Sequence, residues 1–280
     1  MNLQNLRVLL TGAGGGIGGE LARQLVAAGA VLTCTTRNAA GLRAALRLHG
    51  IDPAKVRVLE GDLTDAAFRA TLPAALAGQD NGGVDLLINA AGISDFALLS
   101  GQSAEDQERV LRTNLLVPMD LARRLLPALL ASGRGGIVNV GSVFGSIGYP
   151  GHTLYCASKF GLRGFTEALS RELGDAPLRV LYVAPRATRT AMNPPAVDAM
   201  NARLGNAVDE PAHVAAQIMA LLRGRRRAAV LGWPEKLFAR VNAVLPGVVD
   251  RAIAGKLPLI RQFLHAHRDA TLTTGKEPRT

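Results

Sequence analysis

Tyr155 and Lys159 stand one helical turn apart in the stretch "YCASK", in a chain with only three tyrosines. A phenol beside an ammonium is an acid–base pair, because a neighbouring positive charge favours the phenolate. A free phenol titrates near pH 10, and lowering that to about 7 requires roughly 4 kcal/mol. One unit charge at about 4 Å supplies that much at an effective dielectric near 20. Alone the pair is weak evidence, since two residue types at a fixed spacing recur by chance. A second chemical feature lies near the start of the chain, where "TGAGGGIGGE" places Gly12, Gly16, Ile17 and Gly18 between an apolar run and a helical pattern. Glycines there let the backbone turn tightly and approach a pyrophosphate, whose charge sits among the unpaired N–H groups of a helix N-terminus.

These residues need a scaffold, and the hydrophobic pattern predicts one. Runs rich in Val, Ile and Leu alternate with helical patterns, as βαβ units feeding a parallel sheet do. The predicted strands are Arg7–Thr11, Val31–Thr35, Lys55–Glu60, Val84–Asn89, Gly136–Val140, Arg179–Ala184 and Ala228–Leu231. Between them the spacing predicts helices near Gly16–Ala28, Ala39–His49, Asp65–Ala77, Ala104–Leu130, Leu154–Leu173 and Pro211–Leu222. The expected fold is α/β: a Rossmann-type, doubly wound, seven-stranded parallel sheet flanked by helices, with a C-terminal helical extension. Residues 1–232 form the expected dinucleotide-binding catalytic domain and 233–270 an amphipathic extension of it, while 271–280 are expected to be disordered. The stretches Gly78–Gly83 and Asp175–Pro177 read as short turns.

Composition narrows the partners. A hydrophobic fraction of 48% suffices for a buried core, and no run approaches the roughly 20 apolar residues of a membrane span. A cytoplasmic protein is the default expectation. The net charge is +10, but from Arg223 onward 12 basic residues stand against four acidic ones, so the basicity belongs to the tail and a nucleic-acid groove across the main domain is not expected. Cys34 and Cys156 offer neither a disulfide framework nor metal-ligand spacing and read as reduced thiols. The second predicted strand ends in "TCTTRN", with Arg37 where a carboxylate would bind a ribose 2′-OH; an arginine there pairs with a 2′-phosphate. NADP(H) is favoured on that ground, with NAD(H) as the alternative.

The motifs "TGAGGGIG", "GDL" (Gly61–Leu63), "NAAG" (Asn89–Gly92), Asn114 in "RTNLL", Ser142 in "VNVGS" and "YCASK" follow one another in the order and spacing of the short-chain dehydrogenase/reductase family. The chain resembles that family over about residues 5 to 230. The resemblance implies hydride transfer between a nicotinamide and a carbonyl or secondary alcohol, with Tyr155 as general acid or base. It implies that Lys159 supports Tyr155 and binds the nicotinamide ribose, that Ser142 holds the substrate oxygen, and that Asn114 keeps a water in a proton relay. Asp62, with Leu63 beside it, resembles the group that accepts the adenine amino proton, and Asn89, Ala90 and Gly92 would shape the floor beneath the adenosine ribose. The structural alternatives are a helix cap for Ser142, a backbone-bonded buried amide for Asn114 and a turn former for Asp62. One departure stands out: the family pattern after the sixth strand is Pro-Gly, and here Pro185 is followed by Arg186. Arg186 would narrow the loop, bring a cation to the pocket rim or point outward. Thr188 and Thr190 keep the positions expected to reach the carboxamide and phosphates. His152 could line the substrate pocket or be a solvated loop residue. The resemblance also implies a homodimer or homotetramer built through the two long helices. Rival readings are a dinucleotide-binding sensor or scaffold without turnover, and a membrane-surface protein acting through its tail.

In that tail Leu237, Phe238, Val241, Val244 and Leu245 recur at helical spacing with Lys236 and Arg240 off the stripe, and a second such segment begins at Val248. Two helices that cap the substrate cleft or pack on a partner subunit are one expectation. An interfacial element on anionic lipid is the other, and it would go with a hydrophobic substrate such as a sterol-like, retinoid-like or acyl-chain ketone.

Overall fold

Successive side chains of a strand point to opposite faces, so a strand covered on both sides must be apolar throughout. The computed structural model, which describes residues 1–78 and 82–274, has seven strands, buried nearly throughout in the middle of the sheet and partly exposed at its two edges. They are β1 (Arg7–Thr11), β2 (Val31–Thr36), β3 (Val56–Glu60), β4 (Leu86–Asn89), β5 (Gly136–Val140), β6 (Arg179–Ala184) and β7 (Ala228–Val230), all parallel, in the order β3-β2-β1-β4-β5-β6-β7. The first seven helices are α1 (Gly16–Ala27), α2 (Ala39–Leu48), α3 (Ala66–Ala77), α4 (Ala104–Leu111), α5 (Val117–Ser132), α6 (Thr153–Glu172) and α7 (Pro195–Leu204). Then come α8 (Pro211–Arg223), α9 (Glu235–Val244), α10 (Pro246–Ala254) and α11 (Leu257–Thr274). Val8, Leu10, Leu86, Ile88, Val138, Leu181 and Val183 pack with Leu21 and Leu25 of α1, Leu46 of α2 and Ile218 of α8. Leu9, Leu87, Ile137 and Val180 turn the other way, onto Leu72 of α3, Leu121, Leu125 and Leu129 of α5 and Leu169 of α6. The seven-stranded, doubly wound expectation holds, with strand ends moved by at most two residues.

Because β1 lies between β2 and β4, the connections leaving β1 and β4 run to opposite faces and open a crevice at their C-terminal ends. The opposite end of these central strands is stapled. Buried Asp85 accepts from Arg7 Nη2 at 2.6 Å and Arg134 Nη2 at 2.7 Å, which hold its carboxyl well below the ordinary range against the cost of burial.

Three expectations change. The predicted helix Ala104–Leu130 is interrupted by a π-type turn at Arg112–Leu116, which divides α4 from α5. Helix α7 was not predicted, because "NPPAVDAM" mixes prolines, small and polar residues without a clear apolar period. The tail forms three helices, not two, and its predicted apolar stripe is largely outward: Leu237, Phe238, Val244 and Leu245 are exposed, whereas Ala239 and Val249 are buried against Val143 and Ile147. Helix α11 closes another side, with Ile260 and Leu264 packed on Phe96, Val197 and Met200. It runs to Thr274, into the stretch expected to be disordered; residues 275–280, and 79–81 of the predicted Gly78–Gly83 turn, lie outside the described residues. Among the described residues no helix is long and apolar enough to cross a membrane. Both cysteines are free and buried, and burial pushes the Cys34 thiol up to about 12 and Cys156 to about 11.

Candidate active site

The turn after β1 is built on steric necessity. Gly12 has φ +76°, and a Cβ there would lie 2.6 Å from the Ala91 backbone nitrogen; a Cβ on Gly18 would fall 2.0 Å from the Gly12 carbonyl oxygen. The loop thus presses against both the β4 exit and its own helix, while Gly14, Gly15 and Gly16 line a cavity of about 530 Å³. A Cβ on Gly14 would meet no atom nearer than 4.0 Å, so the missing side chains leave a backbone cradle at the N-terminus of α1. That cradle fits a dinucleotide pyrophosphate.

The same cavity is lined by Ile17, Gly18, Ala90, Gly92, Ser142, Tyr155, Lys159, Pro185, Thr188 and Thr190, so motifs far apart in sequence meet in one cavity. Tyr155 and Lys159 share a face of α6, with Lys159 Nζ 5.5 Å from the centre of the phenol ring. Lys159 is buried, donates to the Val140 carbonyl at 3.0 Å, and is lowered by burial to about 8. Burial raises the Tyr155 phenol above its ordinary value, and the Ser142 hydroxyl beside it acts in the other direction. At 5.5 Å a unit charge is worth about 3 kcal/mol at an effective dielectric of 20. Lys159 thus places a positive charge near the phenol, which burial nonetheless leaves raised above its ordinary value. Ser142 also accepts from the Phe144 N–H at 3.1 Å, the capping arrangement named among the structural alternatives.

The remaining predicted residues lie outside the cavity wall. Asn114 is fully buried in the π-type turn; its Nδ2 donates to the Ile93 carbonyl and its Oδ1 accepts from the Ile93 N–H, both at 2.8 Å. Gly92 passes between this amide and Lys159: a Cβ there would be 3.2 Å from Asn114 Oδ1 and 3.6 Å from Lys159 Nζ. Asn89 donates to Asn139 at 2.9 Å, which in turn donates to Thr166, forming a polar string through the sheet. Asp62 Oδ1 accepts from both the N–H and the hydroxyl of Thr64 at 2.8 Å, as a turn former does. Leu63 packs beside the α5 face, and its carbonyl accepts from Arg69. Arg37 sits exposed just past β2. The fold also brings an acid to that end of the sheet, since Glu60 of β3 accepts from the Ala39 N–H at 2.8 Å and caps α2.

Sequence reasoning missed Asp95, whose Oδ1 accepts from the Tyr155 N–H at 2.9 Å and so fixes the first turn of α6. No local pattern signals a cap supplied from 60 residues upstream. His152 is buried, not solvated, among Phe96, Phe144, Tyr149 and Tyr155; burial lowers it to about 4, so it is neutral at pH 7. Arg186 neither points outward nor ends as a bare cation at the rim. Its guanidinium donates to Asp209 at 2.7 Å, to the Trp233 carbonyl at 2.8 Å and to Glu235 at 3.3 Å, and its stem occupies the space left by Gly232. The loop after β6 is thereby tied to the start of α9, while Asn242 of α9 donates to the Ser146 carbonyl at 2.8 Å.

An open parallel sheet with a glycine-lined crevice at its switch point defines the dinucleotide-binding class of α/β proteins. Comparison with known proteins narrows the class. Residues 7–201 match the family model described as short chain dehydrogenase. The chain is 32% identical to dehydrogenase/reductase SDR family member 7B of Bos taurus, over 94% of this chain and 85% of that protein. It is 34% identical to the 3-oxoacyl-[acyl-carrier-protein] reductase FabG of Haemophilus influenzae, over 74% and 88% respectively. A short chain dehydrogenase from Burkholderia cenocepacia, solved in complex with NADP, superposes with a TM-score of 0.76 at 22% identity, covering 90% of this chain and 99% of that one. This chain belongs to the short-chain dehydrogenase/reductase family of oxidoreductases.

Proposed function

We propose that the protein is an NADP(H)-dependent oxidoreductase that interconverts a carbonyl and a secondary alcohol on an apolar substrate, chiefly in the reducing direction. The observation that carries this reading is the meeting of Ser142, Tyr155 and Lys159 in the cavity whose far end is the Gly12–Gly18 turn. A nicotinamide dinucleotide bound there supplies or accepts the hydride. Gly12, Gly14 and Gly16 would receive its diphosphate, Pro185, Thr188 and Thr190 of the same lining would lie beside it, and Arg37 would select the 2′-phosphate.

Ser142 donates a hydrogen bond to the substrate oxygen and holds it beside Tyr155. Tyr155 delivers its proton as negative charge develops on that oxygen. A phenol raised by burial stays protonated at neutral pH, which suits donation better than abstraction. The Lys159 ammonium then stabilises the tyrosinate, and the Asn114–Ile93 clamp holds Gly92 against it. Apolar selectivity is assigned to the apolar part of the lining, which includes Val143, Ile147, Val197, Met200, Val249 and Ile253 beside polar residues such as Asn193 and Asn206. Exposed Leu116 and Phe160, on the π-type turn and α6, support a homodimer or homotetramer formed through these helices.

Tyr155→Phe tests the chemistry. Ketone reduction over a panel of apolar substrates is expected to fall at least about 100-fold while binding of NADPH, followed by its fluorescence, persists. A variant with full turnover would overturn the assignment.

A further inference from the structure

We infer that the corner between α9 and α10 docks this protein on a lipid bilayer carrying anionic headgroups, with the mouth of the cavity turned towards the membrane. Six consecutive residues at this corner, Ala243, Val244, Leu245, Pro246, Gly247 and Val248, are all exposed and none carries a polar side chain. Val244 is 76% exposed and Leu245 59%, so the fold leaves most of each unburied. The apolar surface continues along α9 through Leu237 and Phe238 to Trp233, itself 63% exposed. Half of the exposed large apolar residues among those described fall between Trp233 and Val248, so this is a contiguous stretch and not the usual scatter.

Charge selects the occupant. Arg240 and Arg251 flank the corner three residues to either side, and Lys256 and Arg261 follow, all exposed. Between residues 233 and 267 the acids are Glu235 and Asp250, and Glu235 is engaged by Arg186. An apolar tip between arginines matches the boundary of an anionic bilayer, where acyl chains take Val244 and Leu245 and headgroups take the guanidinium groups. A second copy of this chain fits poorly, because apposed corners would bring like charges together.

The cavity opens on the same side. Phe238, Ala252 and Lys256 both line it and are exposed, so its rim runs along α9 and α10, and Val249, next to the tip residue Val248, is part of its wall. An apolar ketone dissolved in the bilayer could enter without crossing water. Only this last point rests on the proposed function; the docking itself does not.

Co-sedimentation of the full chain with sucrose-loaded vesicles tests the inference, using phosphatidylcholine alone and phosphatidylcholine with one third phosphatidylglycerol. The protein is expected to pellet with the anionic vesicles and to be released by salt. The Val244→Asp/Leu245→Asp variant, and separately Arg240→Glu/Arg251→Glu, should lower the partition coefficient at least about tenfold. All four positions are exposed, and unchanged thermal melts will show the variants folded. Tyr155→Phe should pellet like the parent, which separates failure of docking from failure of the catalytic reading. The inference is overturned if the parent protein stays in solution with both vesicles or pellets equally with both. It is also overturned if the aspartate variant pellets normally, or instead splits an oligomer by light scattering, which would make the corner a self-contact.

Discussion

Replacing Arg186 by methionine keeps most of the side-chain stem against Gly232 and removes the guanidinium that joins the loop after β6 to α9. Asp209 would then be a carboxylate of 9% exposure with no cation, since one oxygen accepts from Arg186 and the other already lacks a partner. Leaving one member of a buried pair uncompensated costs about 3 kcal/mol. For a chain of this size that lowers Tm by about 5 °C, measurable by calorimetry or dye fluorescence. Adding Asp209→Asn removes the stranded charge and should recover more than about 1 kcal/mol, a coupling available only to residues in contact. The single variant should also raise KM for the apolar substrate more than it lowers kcat, because the start of α9 borders the cavity through Pro234 and Glu235. A methionine variant as stable as the parent, or a double variant no better than the single one, would refute the reasoning.

Other outcomes follow from groups at the site. His152 is held at about 4 by burial, against an unfolded value near 6.5, so between those pH values the unfolded chain binds the extra proton and stability falls as pH falls. The loss is up to about 3 kcal/mol, and His152→Phe should flatten urea-melt stability over that window. Asp95, raised by burial, acts oppositely there, and Asp85, depressed, acts only at lower pH, so a loss confined below pH 4 would exclude His152. Reduction should hold through neutrality and decline above about pH 8 as Lys159 loses its proton; an unchanged rate to pH 10 would contradict this. Gly18→Ala forces a Cβ to 2.0 Å from Gly12 and should weaken NADPH binding at least about tenfold by fluorescence titration. Arg37→Ala should lower kcat/KM for NADPH about tenfold or more and leave that for NADH nearly unchanged, whereas equal losses would show that Arg37 does not read the 2′-phosphate.

The sheet was legible because its residues obey local rules: Leu9 and Leu10 face opposite helical layers, and both must be apolar. Gly12 and Gly18 were legible because backbone contact excludes any other residue. What stayed hidden depends on partners distant in sequence. Arg186 could not be oriented without knowing that Gly232, Asp209 and Glu235 converge on it, nor His152 without the four rings around it. The apolar stripe of α9 has the right period for packing, and period alone does not say whether a stripe meets protein or something else. Asp62 and Asn89 carry motif positions, yet Asp62 Oδ1 is engaged by Thr64 and Asn89 Nδ2 by Asn139.

The π-type turn at Arg112–Leu116 makes the chain's length at this point functionally strict. It accommodates one residue more than a regular spiral would, and each residue of an α-helix is worth about 100° of rotation. Losing a single residue here would rotate α4 by about 100° relative to α5 and swing the Asn114 amide away from Ile93. Insertions and deletions are therefore tolerated less well in this middle of a helix than substitutions of most of its outward-facing side chains.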